Sequence, residues 1–140
     1  MVTTRVHGGL SETYPAVAAS IQRARRSVAQ FATRSGIRGA GLDAIRLAVS
    51  EAVTNAVLHA YPARAGAFHL TAAVAGEELW VLVADDGCGY KTPSRQPGLG
   101  WGLTIIAQQS EKYVITERAA GGTEVRMRFP IPSNHTPAAG

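Results

Sequence analysis

The sequence predicts an α+β domain, a two-layer sandwich in which one mostly antiparallel sheet is covered on one face by helices. Three observations lead there. Apolar residues recur at spacings of three and four in two long blocks of the first half, the period of an amphipathic helix. Short β-branched or aromatic runs separated by glycine turns occupy most of the remainder, as hairpins require. The helical and strand-like segments are also gathered in separate runs, the arrangement of a sheet with segregated helices.

The elements follow in order. Over residues 15–35 the apolar positions are Val17, Ile21, Ala24, Val28 and Phe31 or Ala32, with Ser11 or Thr13 available as a cap and Gly36 as the stop. A second helix is expected over residues 41–61, halted by Pro62, with Leu42, Ile45, Val49, Ala52, Val53, Ala56 and Ala60 on one broad face. Residues 67–74 and 78–84 read as a hairpin turning at Gly76. A loop rich in Gly and Pro spans residues 85–100, and helical spacing returns with Leu103, Ile106 and Ala107. Strands at 113–117 and 123–130 are joined by Ala120-Gly121-Gly122.

With 140 residues and 46% apolar content, the chain can bury a core without disulfides or a structural metal. Residues 1–131 are expected to form one domain, and 132–140, small, polar or Pro, a flexible tail. Cys88 is the single cysteine, so no internal disulfide forms and a reducing compartment is the default. No apolar run approaches the about 18 residues of a spanning helix, which points to a cytoplasmic protein. The net charge of +4 is unevenly placed, with Arg23, Arg25 and Arg26 bunched in the first helix. Such a cluster suits an acidic protein or nucleic acid, although a solvated helix face is the plainer reading.

Chemistry first appears on the second helix. Glu51, Asn55 and His59 are successive i+4 steps and fall in one arc beside the core face, together with Ala48 and Leu58. Asp43, Arg46, Ser50, Thr54 and Tyr61 point elsewhere and read as a solvent face. Half-buried polar groups in that arc need partners, supplied by the protein or by a ligand. Next, Asp85 stands at the end of a strand with Gly87 and Gly89 behind it, where a carboxylate can accept from an amino group such as that of adenine; a plain Asp-Gly turn gives the same letters. Gly98, Gly100 and Gly102 then open a helix at Leu103, and backbone N–H groups at such a start suit phosphate. No Gly-Lys-Ser/Thr follows, so this is not a Walker A loop.

The ordered set of E-x3-N-x3-H helix, D-x-G-x-G strand end, G-x-G-x-G helix start and Gly122-Thr123 opening a late strand resembles the GHKL ATP-binding superfamily, whose domains have the Bergerat fold. The run from Leu47 to Tyr61, LAVSEAVTNAVLHAY, is similar to that of the bacterial anti-sigma-factor serine/threonine kinases. The resemblance covers residues 42–129. It implies a Mg-ATP-dependent kinase that phosphorylates a small antagonist protein of the STAS (anti-anti-sigma) type and sequesters a sigma factor. It implies neither membrane nor nucleic acid as a partner and is compatible with a homodimer.

By the same resemblance Glu51 would orient or deprotonate the attacking hydroxyl, and Asn55 would bind the Mg²⁺ that bridges the ATP phosphates. Asp85 would accept from the adenine amino group with Thr123 supporting it through water. Gly87 and Gly89 would admit the nucleotide, and Gly98, Gly100, Gly102 and Leu103 would wrap its phosphates. Two features depart from the pattern. Only eight residues, Tyr90 to Pro97, separate Gly89 from Gly98, and Gly98-Leu99 stands where an arginine for the γ-phosphate is expected, leaving Arg95 or Lys91 as substitutes. The alternative these departures favour is a regulator of the same fold that binds ATP and protein without transferring phosphate.

Overall fold

The computed structural model describes residues 3–4, 9–59, 66–86, 112–117 and 122–132. Its elements are β1 (Thr3–Thr4), β2 (Gly9–Pro15), α1 (Ala18–Arg34), α2 (Gly39–His59), β3 (Ala67–Ala75), β4 (Glu78–Asp85), β5 (Lys112–Glu117) and β6 (Thr123–Pro130). Among the described residues the strands form one six-stranded sheet in the order β1-β2-β3-β4-β6-β5. Every neighbouring pair is antiparallel. α1 packs on β2 and β3, α2 on β3, β4 and β6, and the expected α+β sandwich is the observed one.

Alternation explains the layering. Phe68, Leu70 and Ala72 of β3 and Leu79, Val81 and Val83 of β4 are buried, while the residues between them are partly exposed. The buried set joins Val28, Phe31 and Ala32 of α1 and Ile45, Val49, Ala52, Val53 and Ala56 of α2 in one core. The turn between the helices is a Schellman motif. Gly36 has φ 99, and the Ile37 N–H reaches back to the Ala32 carbonyl at 3.0 Å, with Ile37 buried behind it. Gly36 therefore stops α1 as its sequence position predicts.

The start of α1 differs from expectation. Ser11 and Thr13 do not cap the helix; they belong to β2, paired with Thr71 and His69. Val17 is the N-cap, makes no side-chain cap bond and is 48% exposed rather than part of the apolar face. β2 escapes the sequence pattern because only Tyr14 of its seven residues is buried, so no alternation marks it. Pro15 falls at its last position, where a missing N–H is tolerated. The helix expected at Leu103, Ile106 and Ala107, and the Ala120-Gly121 part of the last turn, lie outside the described residues.

Tyr14 locks α1 to the sheet. Its ring stacks on Phe68 with centroids 5.4 Å apart, its hydroxyl donates to the Glu12 carboxylate, and Ser27 Oγ of α1 lies 3.0 Å away. Burial, followed by the bond to Glu12, pushes the phenol from 10.0 up to about 12. The folded state thus holds this proton more tightly than the unfolded chain. The stability it confers is complete below about pH 10 and is lost as pH rises toward about 12. Tyr14→Phe is expected to flatten the fall of unfolding free energy in that window, measured by urea denaturation as a function of pH.

Candidate functional site

α2 carries the first half of the site. Ala48 begins the arc fully buried and Leu58 ends it 59% exposed, so the arc runs from core to solvent and places Glu51 half-buried and Asn55 buried. Ser50 is not a solvent residue: it is half-buried and accepts from Arg25 Nη1 at 3.5 Å. Asp43 and Arg46 do form an exposed pair at 3.6 Å. Asn55 is 3% exposed, and its Nδ2 has no hydrogen-bond partner. A buried amide nitrogen left unpaired costs about 1–3 kcal/mol, a penalty that a ligand at this position would remove.

The second half lies at the ends of two paired strands. Asp85, the last residue of β4, is in phase with Leu79, Val81 and Val83, and Thr123, the first of β6, is in phase with Val125, Met127 and Phe129. Both side chains therefore face the helix layer, and they are directly opposed in the ladder, with Phe68 on the other side of Asp85. Asp85 is 6% exposed and Thr123 2%. Thr123 Oγ1 is buried without a hydrogen-bond partner, so Asn55 and Thr123 both carry polar capacity that the described chain does not use.

Gly122 sets the spacing between these strands. Its φ is 95, and a Cβ there would lie 1.9 Å from the Asp85 carbonyl oxygen and 2.7 Å from both the Asp85 carbonyl carbon and Asp86 Cα. Only glycine fits. On the sheet face away from the helices, His69 of β3 places Nδ1 3.0 Å from Thr13 Oγ1 and Nε2 3.5 Å from Asp86 Oδ2. Sequence reasoning missed both features. Gly122 reads as a turn residue that opens a late strand with Thr123, with no sign of how closely it meets Asp85, and a histidine inside an apolar strand gives no sign of a partner seventeen positions later.

The structure thus brings Asp85 beside Thr123 and puts Glu51 and Asn55 on the helix packed over β4 and β6. Gly87, Gly89, Gly98, Gly100, Gly102 and Leu103 lie outside the described residues, as do Cys88, Lys91, Arg95 and Trp101. The three clustered arginines part company. Arg23 sits over the Tyr14 ring at 5.5 Å, while Arg25 and Arg26 join Arg34 and Arg46 along a groove between α1 and α2.

The model of the histidine kinase-like ATPase domain family matches residues 14–129. The chain belongs to this family. Among similar proteins, the anti-sigma F factor of Clostridium acetobutylicum is 29% identical over 116 residues, 75% of this chain and 81% of that protein. The serine-protein kinase RsbW of Bacillus licheniformis is 33% identical over 99 residues, 70% of this chain and 58% of that protein. The solved structure of the RsbU and RsbW domains of a Mycobacterium tuberculosis protein superposes with a TM-score of 0.69 over 92% of this chain, at 24% identity, and speaks for the fold alone. This chain spans 34% of that one. The resemblance to GHKL domains of the anti-sigma-factor kinase type is borne out by these matches. Among the described residues no helix is long and apolar enough to cross a membrane.

Proposed function

We propose that the chain is a Mg-ATP-dependent serine/threonine protein kinase that acts on a small antagonist protein of the STAS type and sequesters a sigma factor in the cytoplasm. The observation that carries this reading is that two of the four unpartnered buried side-chain polar atoms among the described residues, Asn55 Nδ2 and Thr123 Oγ1, belong to the expected site. Thr123 is the ladder partner of the buried Asp85, and Asn55 lies on the helix packed over β4 and β6. A half-turn of the Asn55 amide exchanges its nitrogen for its oxygen, so the same position suits a hard cation. Among the described residues no three His, Cys, Asp or Glu side chains could hold a metal.

When bound, Mg²⁺ would neutralise charge on the phosphates. The chain's own residues do the rest. Asp85, buried on the helix-facing side of β4, accepts from the adenine amino group and so sets the base end of the nucleotide. Glu51, one turn before Asn55 and half-buried, takes the proton of the attacking Ser or Thr hydroxyl. The hydroxyl oxygen then bonds to the γ-phosphorus as the β–γ bridging oxygen departs with ADP. Positioning and charge neutralisation carry most of such a reaction.

Calorimetric titration of ATP into the chain with and without Mg²⁺ tests the reading, and absence of binding by the folded protein overturns it. Glu51→Gln is expected to keep ATP affinity while transfer to an antagonist protein falls by about 10²–10⁴-fold, the usual worth of a general base; radiolabelled phosphate transfer checks this. Gly98-Leu99 at the place of the expected arginine favours a second reading, an ATP-dependent protein-binding regulator that does not transfer phosphate. Tight ATP binding with no transfer by the wild type would select it, whereas transfer unchanged by Glu51→Gln would remove Glu51 from the role of base.

A further inference from the structure

We infer that His69 is a positioning residue for the adenine end of the nucleotide site, acting through Asp86. The inference rests on the ATP-binding reading and adds to it a group on the opposite face of the sheet. His69 follows Phe68, whose ladder partner is Asp85, and it sits directly opposite Thr13 of β2. Its imidazole therefore spans from β2 to the first residue past β4. Nδ1 meets Thr13 Oγ1 at 3.0 Å, and Nε2 faces Asp86 Oδ2 at 3.5 Å.

That separation makes the ring an ion-pair neighbour of the Asp86 carboxylate. Between His69 Nδ1 and Thr13 Oγ1 the donor is set by the tautomer of the ring. Thr13 can switch roles because a hydroxyl both donates and accepts. Asp86 is approached by His69 at its carboxylate and by Gly122 at its backbone, where an added Cβ would lie 2.7 Å from the Asp86 Cα. Fixing Asp86 fixes the exit of Asp85, and with it the carboxylate that would read the base.

The His69 and Asp86 side chains are 41% and 57% exposed, so their pairing adds little to global stability. Its effect is expected in recognition. His69→Ala should weaken ATP binding by about two- to tenfold, leave GTP binding unchanged and so narrow the preference for adenine, with the thermal midpoint of the free protein preserved. His69→Gln, which keeps an N–H donor, should restore most of the loss. Calorimetry with Mg-ATP and Mg-GTP on wild type, both His69 variants and Asp85→Asn separates the outcomes. Wild-type ATP affinity in His69→Ala, with binding lost in Asp85→Asn, overturns the role of His69 and leaves the nucleotide site standing. Equal weakening of ATP and GTP with a lowered thermal midpoint also overturns it, because that is a structural effect. Full ATP affinity in Asp85→Asn, or none in the wild type, removes the site reading and this inference together.

Discussion

Asn55→Ala is expected to bind ATP no better with Mg²⁺ than without it, a loss of about 10- to 100-fold, as for removal of a partner from a charged group. The same substitution should leave the free protein as stable as before or more so. Asn55 Nδ2 is buried and unpaired, so the native amide carries a desolvation penalty that alanine does not. Alanine is also the stronger helix former. Loss of function with retained or raised thermal midpoint distinguishes a residue kept for a ligand from one kept for packing. Titration calorimetry and thermal denaturation of one preparation read both quantities. A lowered midpoint with unchanged ATP affinity would make Asn55 structural.

Gly122→Ala is the second large effect, for a different reason. The added carbon would sit 1.9 Å from the Asp85 carbonyl oxygen, and the atoms it meets are backbone on a paired strand. No side chain can rotate away, so the ends of β4 and β6 must separate. A destabilisation of about 2–4 kcal/mol is expected, together with loss of ATP binding, because Asp85 and Thr123 are the residues displaced. Gly76→Ala provides the comparison: its φ is also positive, at 64, but nothing lies within 4 Å of the new atom. It should cost about 1 kcal/mol of backbone strain and leave ATP binding intact. Urea denaturation and ATP titration of both variants check the contrast; similar losses in the two would mean that the close approach at Gly122 does not matter.

Much of the architecture was legible because burial leaves a period. α2 and the hairpin of β3 and β4 are recognisable from their apolar spacing, and the positive φ of Gly36 and Gly76 is what their places at a helix end and a hairpin turn anticipate. β2 was not legible, since a strand with one buried residue shows no alternation, and its Ser11 and Thr13 pass for helix caps. Within the candidate site, Glu51 and Asn55 share a face by local geometry, and Asp85 at its strand end joins them only through the resemblance to the GHKL motifs. The contacts of Gly122 with Asp85 and of His69 with Asp86 depend on strand register, which no local pattern encodes. The arginine cluster shows the same limit. Arg23 meets Tyr14 of β2 and Arg25 meets Ser50 of α2, because their helix faces β2 on one side and α2 on the other.

The sheet order has a consequence for how the molecule assembles. β3 and β4 are joined by a tight turn, and their ladder can zip from it early. β4 meets β6 rather than β5, so the contact between Asp85 and Thr123 closes a loop spanning the whole stretch between them, and long-range closure is entropically late. On the ribosome Thr123 emerges well after the hairpin is made. The Asp85–Thr123 end of the sheet is therefore expected to form late during synthesis, after the β3–β4 hairpin.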